Sequence, residues 1–347
     1  LSRVKGFLLP SLFLLLLGSL LFILSRTKIR ENPSGGKPTK TESGFYFPSS
    51  TEVAAFLTER GIPFVRIPEG IEPFPRPLWG RTARSLEEEV SPFFGVTLRD
   101  GGRFLPPSRG WLVLVMDDLG FRMEVGEKLF ALRIPIIFSI LPGVRYTLSL
   151  AKRVEEMGYD LFLHQPMEPE GYPHDDPGPR ALWVHSSSEE IQRVIEENLS
   201  LPLRFSGVNN HMGSRFTADE KAMRIVLEEI KRRDLIYLDS LTTPRSVATR
   251  ICRELQVLCI FRDVFLDHSL KEEEILQRVE EWRRCSERKG ISIAIAHPHP
   301  KTLSVLRETV PRLQREGFRF VGVKEIRFWL QYGKDRRLAE RRTFVHE

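Results

Sequence analysis

Cysteine is scarce: the 347-residue chain holds only Cys252, Cys259 and Cys285. None of them forms a CxxC pair, which argues against a zinc knuckle or a thioredoxin-type site. They do not make a disulfide framework either. One bond among them is open to the chain in an oxidising compartment, but the spacing does not say which two residues would form it. No GxGxxG and no GxxxxGK[ST] is present, so a nucleotide cofactor is not indicated. The absence of GxSxG argues against a serine hydrolase. No nucleic-acid motif accompanies the net charge of +6. A basic chain can meet nucleic acid, anionic lipid or an anionic cell-wall polymer. Here the charge is scattered, as in Lys231, Arg232 and Arg233 and the tail Lys334 to Arg342, which fits solvated faces better than a binding stripe.

Gly6 to Leu24, by contrast, is almost wholly apolar, with Arg3 and Lys5 before it and Arg26, Lys28 and Arg30 after it. A helix needs about 20 apolar residues to cross a bilayer. Leu24-Ser25-Arg26-Thr27 offers no small-x-small cleavage site. Residues 1–25 are therefore expected to be an uncleaved signal-anchor, with a cleaved signal segment as the alternative. Flanking charges nearly balance, so the positive-inside rule sets no orientation. A short leading tail and a long following part favour export of the latter. The expected location is thus membrane-anchored, with the large domain periplasmic or otherwise extracytoplasmic. Residues 26–44 are polar and rich in Pro, Gly, Ser, Thr and Lys, and cannot bury a core, so they read as a flexible linker. Residues 45–109 read as a small accessory region with a helix over Ser50 to Arg60, carrying Val53, Phe56 and Leu57 on one face.

From Trp111 strands and helices alternate. Strands are expected at Trp111 to Met116, Ile134 to Leu141, Leu161 to Leu163, Phe205 to Asn209, Leu235 to Leu238, Gln256 to Phe261, Ile291 to Ala296 and Phe318 to Val323. Helices are expected at Thr147 to Met157, after a capping box at Ser187-x-x-Glu190, after a second box at Thr217-x-x-Glu220, and at Arg245 to Leu255, Lys271 to Lys289 and Lys301 to Glu316. This alternation predicts an α/β fold with a parallel sheet, and its seven to eight units fit an irregular (β/α)7-type barrel over residues 110–333 better than a Rossmann sheet. Residues 334–347 form a basic tail.

Four of the strands run into polar clusters: VMDDLG (Val115 to Gly120), LFLHQPMEP (Leu161 to Pro169), GVNNHMGS (Gly207 to Ser214) and IAIAHPHP (Ile293 to Pro300). Strands that end in Asp or His can converge these side chains on one rim. Of two adjacent carboxylates, Asp117 and Asp118, one can bind a metal while the other stays free as a base, because a strand end bends and both can reach the rim. His164, His211, His297 and His299 are nitrogen donors or acids, and Glu168, Asn209, Asn210 and Asp239 can support the site or contact substrate. The donor set suits Zn²⁺ as the expected divalent metal, and also Co²⁺, Ni²⁺ or Mn²⁺.

In order along the chain, VMDDLG, LPG, HQPMEP, GVNNHMGSRFT, YLDSLTT, RDVFLD and AIAHPHP resemble the motifs of the divergent polysaccharide deacetylase family. That family is similar to mainstream polysaccharide deacetylases, which use an irregular (β/α)7 barrel to remove acetyl groups from polymers such as chitin and peptidoglycan. The resemblance implies a base at Asp117, metal ligands at Asp118 and His164, and a catalytic acid at His297, with His299 as rival. Where mainstream members carry a second His four residues after the first, this chain has Glu168. Either His211 or Glu168 is then the third ligand. The implied function is metal-dependent deacetylation of an acetylated amino-sugar polysaccharide, with the membrane and the glycan as partners and no nucleic acid. The alternative is a non-catalytic barrel that binds a glycan or an envelope partner.

Overall fold

The structure is a computed structural model that describes residues 49–59, 62, 64–67, 70–73, 103–104 and 107–335. The expected anchor, the linker and the tail beyond 335 lie outside the described residues, as does most of the region 45–109. Among the described residues no helix is long and apolar enough to cross a membrane. The chain divides into two compact units, with the larger running on from Ser108.

The small unit contains helix α1 (Ser50–Glu59), which buries Val53 and Leu57 as its spacing predicts. It also contains strands β1 (Phe64–Ile67), β2 (Gly70–Pro73) and β3 (Arg103–Phe104). β1 and β2 pair antiparallel, and β3 joins β2 in parallel.

The large unit is a curled parallel sheet wrapped by helices. In chain order it runs β4 (Gly110–Leu119), α2 (Glu124–Phe130), β5 (Ile137–Ile140), α3 (Thr147–Glu156), β6 (Asp160–Met167), α4 (Ser188–Leu199), β7 (Gly207–Met212), α5 (Glu220–Arg232) and β8 (Ile236–Asp239). It continues with α6 (Ala248–Leu255), β9 (Leu258–Phe261), β10 (Val264–Phe265), α7 (Glu272–Lys289), β11 (Ile291–Ala296), α8 (Pro300–Arg315), β12 (Phe318–Phe320) and α9 (Val323–Asp335). Sheet order is β10-β11-β4-β5-β6-β7-β8-β9, with β12 added beside β4.

The expected irregular α/β barrel takes the form of a curled half-barrel: among the described residues no ladder joins β9 to β10. The chain itself spans that seam. Phe261 is in register with Asp239 of β8, and Val264 with Ala294 of β11. Arg262 and Asp263 alone cross between them, so the two edges must curl towards each other within a few residues' reach.

Side chains alternate as strands require. Leu112, Leu114 and Met116 of β4 pack outward in one cluster with Leu129, Leu150, Trp282 and Leu306 of the helices. Val113, Val115 and Asp117 take the opposite, inner face. A second outer cluster joins Leu163 and Val208 to Ile195, Val226, Leu227 and Ile251. The inner column is thus apolar below and turns polar at the C-terminal ends of the strands.

Three strands run further than their apolar stretches suggest. β4 includes Asp117 and Asp118, β6 includes His164, and β7 includes His211. Asp117, His164 and His211 face the interior of the curl, so apolarity ends before the ladder does. Helix α5 corrects the second capping box. Its N-cap is Asp219, whose carboxylate accepts from Ala222 N at 2.8 Å, while Thr217 Oγ1 donates to Gly213 O at 2.8 Å. A carboxylate is the stronger acceptor and also favours the helix dipole. The box at Ser187 forms as expected, accepting from Glu190 N at 3.2 Å. The last expected strand stops at Phe320 and α9 follows, reaching into the region read as tail.

Asp219→Ala should lower unfolding stability by about 1 kcal/mol in denaturant titrations. Loss of a comparable amount from Glu220→Ala, with none from Asp219→Ala, would restore the original box.

Candidate metal centre

Two neighbours on a regular strand point to opposite faces, so Asp117 and Asp118 need a distortion to share one site. The β4–β5 ladder shifts register between Met116 and Leu119, and Asp118 takes φ 55°. This bulge turns Asp118 towards the same opening as Asp117. A left-handed non-glycine residue costs roughly 1–2 kcal/mol, which the contacts of Asp118 must offset.

Asn209 sits at the middle of the cluster. Its Nδ2 donates to both oxygens of Asp117, at 2.9 and 3.0 Å. A carboxylate only accepts, so this bond fixes which end of the amide faces which neighbour. Oδ1 then accepts from Ser139 Oγ at 2.5 Å and meets His164 Nδ1 at 3.1 Å. His164 must donate there from Nδ1, which directs Nε2 towards Asp118 and His211.

Asp118 Oδ1, His164 Nε2 and His211 Nδ1 form a triangle with sides of 3.2, 3.2 and 2.9 Å. Ligand bonds of roughly 2.0–2.1 Å in a tetrahedron give edges of about 3.3 Å. The three donors therefore suit a small divalent ion, with one position left over. They come from β4, β6 and β7. In a flat sheet β4 and β7 would lie roughly 14 Å apart, so the curl of the sheet is what assembles the set.

The charges agree with this. Burial favours the neutral acid of Asp118, but hydrogen bonds from His164 and His211 outweigh it and hold the carboxyl well below its usual range. Burial opposes protonation of His164, yet the Asp117 charge and the Asp118 hydrogen bond raise it overall. A cation at the triangle would compete with that proton.

On the far side of Asp118 stands His297, whose Nε2 is 3.9 Å from Asp118 Oδ2. Its Nδ1 is held by Asp267 Oδ1 at 2.9 Å. Asp267 Oδ2 also accepts from His297 N at 2.7 Å and Thr302 Oγ1 at 2.8 Å. Phe265 stacks on the imidazole with ring centroids 5.3 Å apart, and the Arg262 guanidinium lies over the Phe265 ring at 4.4 Å. Burial alone would lower His297. The Asp267 hydrogen bond and charge, backed by Asp117 and Asp118, push it up to about 9. His299 is grouped with Asp267 and His297 as possible donors, but Asp267 is already fully engaged in positioning His297.

The supporting residues separate. Glu168 stays out of the triangle: Oε2 accepts from Val184 N at 2.8 Å, and Oε1 from Arg215 Nη1 at 3.1 Å. Asn210 ties β7 to the turn after β8, accepting from Ser240 N at 2.9 Å and Tyr237 Oη at 3.2 Å. Asp239 shapes that turn by accepting from Leu241 N at 2.9 Å and Ser246 Oγ at 2.6 Å. Sequence reasoning did not single out Asp267 or Ser139. Asp267 had a signal, since it ends the RDVFLD motif after an apolar pair much as Asp117 follows Val115-Met116. Ser139 had none.

A curled parallel α/β sheet with an Asp-His-His triangle at its C-terminal rim defines the class of protein. The chain belongs to the divergent polysaccharide deacetylase family, whose model matches residues 114–327. It is 32% identical over 209 residues to the uncharacterized protein YibQ of Escherichia coli K12, covering 60% of this chain and 65% of that protein, just under two thirds of its length. An uncharacterized Haemophilus influenzae protein is 29% identical over 61% of this chain and 75% of its own. A crystal structure of an uncharacterized Agrobacterium tumefaciens C58 protein matches with a TM-score of 0.59 and 23% identity, covering 67% of this chain and 98% of that one, which supports the fold.

Two outcomes are expected. His211→Ala should lower bound divalent metal at least 10-fold in elemental analysis, while Glu168→Ala keeps it; the reverse pattern makes Glu168 the ligand. In metal-free protein, His297 has a folded-state pKa raised from 6.5 to about 9. Its stabilising contribution, no more than about 3 kcal/mol, is complete below about pH 6.5 and fades as pH rises through about 9. The stability gap between wild type and His297→Gln should shrink over that window in urea titrations. A gap independent of pH would show that Asp267 does not stabilise the imidazolium.

Proposed function

We propose that the protein is a metal-dependent deacetylase acting on an acetylated amino-sugar polysaccharide. The observation that carries this reading is the flanking of one donor triangle by a held carboxylate and a held imidazole. Asp117 Oδ2 lies 3.7 Å from His164 Nε2 on one side, and His297 lies beside Asp118 on the other. A divalent ion at Asp118, His164 and His211 would supply Lewis acidity, lowering the pKa of a water and polarising an acetyl carbonyl. Asp117 then accepts the water's proton. Asn209 supports this role by holding both of its oxygens through a neutral donor, which keeps the carboxylate oriented. His297, protonated at neutral pH, delivers its proton from Nε2 to the departing amine, while Asp267 keeps the ring aligned and stabilises the cation. Glu168 in place of a second mainstream His favours one rival, a glycan-binding protein without turnover, since that residue is engaged in loop contacts.

We also place the large unit outside the cytoplasm, tethered by residues 1–25. The apolar run motivates this. So does the disulfide between Cys252 and Cys259, whose Cα atoms are 6.2 Å apart, because such bonds persist in oxidising compartments. Protein isolated without reductant and then denatured should show one reactive thiol per chain, from Cys285. Three thiols would count against export.

Acid and base groups each contribute about 10²–10⁴-fold. Asp117→Asn should therefore retain bound metal while acetate release from chitin oligomers or peptidoglycan fragments falls by at least about 100-fold. If metal-loaded wild type releases acetate from none of these glycans and the Asn variant behaves identically, the glycan-binding reading replaces this one.

A further inference from the structure

The segment 168–184, between β6 and α4, leaves the strand that carries His164 and returns beside its end. Its return is fastened by main-chain bonds of 2.9 Å, from Glu168 N to Leu182 O and from Leu182 N to Pro166 O. Leu182 thereby bridges Met167 in parallel, as a one-residue extension of the sheet. Buried side chains add further anchors. Glu168 Oε2 takes Val184 N. Gln165 Nε2 and Asn198 Nδ2 both donate to Arg180 O, at 3.0 and 3.2 Å, and Asn198 Nδ2 also bonds Gln165 Oε1 at 2.8 Å. Gln165 and Asn198 are essentially inaccessible to solvent.

This well-anchored segment presents an aromatic ring to water. Tyr172 is 46% exposed. Trp183, half-buried, meets it edge-on with ring centroids 4.6 Å apart. Gly171 closes the turn beneath: Asp175 N bonds Gly171 O at 3.1 Å, and a Cβ at Gly171 would collide with the Asp175 carboxylate. An exposed ring has no core to stabilise, yet here several buried polar contacts hold its segment in place. That pattern suits a preorganised contact for a ligand with an apolar face and polar edges. A pyranose ring has this character: its axial C–H groups form an apolar face and its hydroxyls a polar edge, and exposed Glu170, His174 and Asp175 lie in the same segment.

We propose that Tyr172, backed by Trp183, is a sugar-stacking subsite. It would hold a pyranose unit of the polymer beyond the unit being deacetylated, and so favour chains over single sugars. Glu168 is its positioning residue: the position that departs from the mainstream second His fastens the aromatic segment. Trp183 follows Leu182, which bridges Met167, and Met167 lies roughly 10 Å along β6 from His164. The aromatic segment thus returns to the same end of β6 that carries the metal centre. The inference rests on the deacetylase reading for its substrate class.

The test measures binding and turnover separately, using full-length protein in detergent. Binding of N-acetylglucosamine oligomers and of the monosaccharide is followed by calorimetry on metal-free protein, and acetate release is followed after metal loading. Tyr172→Ala should weaken oligomer binding roughly 3- to 10-fold, and its catalytic loss should fall on KM for oligomers rather than on kcat. Tyr172→Phe should restore both, since the ring and not the hydroxyl makes the contact. Glu168→Gln should weaken oligomer binding in the same sense without loss of bound metal. Equal oligomer binding by wild type and Tyr172→Ala overturns the subsite and leaves the deacetylase reading standing if acetate is still released. Oligomer binding that depends on Tyr172, with no acetate release from any glycan, upholds the subsite and overturns the deacetylase reading. No oligomer binding by wild type overturns the subsite.

Discussion

Ionisable groups crowded at the end of a sheet are stable only when each has a partner, and the buried amide of Asn209 provides the pairing here. One end of it holds the Asp117 carboxylate and the other faces His164 Nδ1. Because a carboxylate cannot donate, the amide has one orientation, and His164 has one ring nitrogen left to offer. The relation between Asp117 and the triangle of Asp118, His164 and His211 is thus set by a single side chain on β7. Ser139 from β5 bonds the same amide oxygen, so four strands share one network. Loss of Asn209 would leave two buried carboxylate oxygens short of a donor and free the imidazole to turn, which costs more than a surface hydrogen bond.

The second half of the rim repeats the logic with a charge instead of an amide. Asp267 uses both oxygens on His297 and Thr302, which keeps the imidazole protonated and aligned. The two halves differ in consequence. A neutral amide beside Asp117 orients it without adding a charge. An anionic carboxylate beside His297 raises its proton affinity. The proposed base and the proposed acid therefore sit within a few ångströms of the same triangle.

Much of this was legible in the chain, for identifiable reasons. Ile291 to Ala296 is a β-branched and alanine run flanked by Gly290 and His297, and it forms the strand expected. Helix α5 buries Met223, Val226, Leu227 and Ile230 as its spacing requires. Strand ends were misread wherever polar residues face the inside of the curl, because local apolarity stops there while the ladder continues. Helix α9 was missed because its start is set from afar: Asp160 Oδ2, on β6, accepts from Val323 N at 2.8 Å. Helix α2 is short and contains Gly126, which lets Leu150 of α3 pack against its backbone. The two adjacent aspartates announced a site, but the bulge at Asp118 that unites them depends on the β5 register. The choice of His211 over Glu168 beside Asp118 and His164 required the third dimension.

In the proposed centre, Asp118, His164 and His211 hold one divalent ion between Asp117 as base and His297 as acid. Anomalous diffraction from crystals of zinc-loaded protein, collected on either side of the zinc absorption edge, tests it most directly. One dominant peak should lie roughly 2.0–2.1 Å from Asp118 Oδ1, His164 Nε2 and His211 Nδ1. A peak at Asp267, His297 and His299 with the triangle empty would contradict it, as would an ion ligated by Glu168.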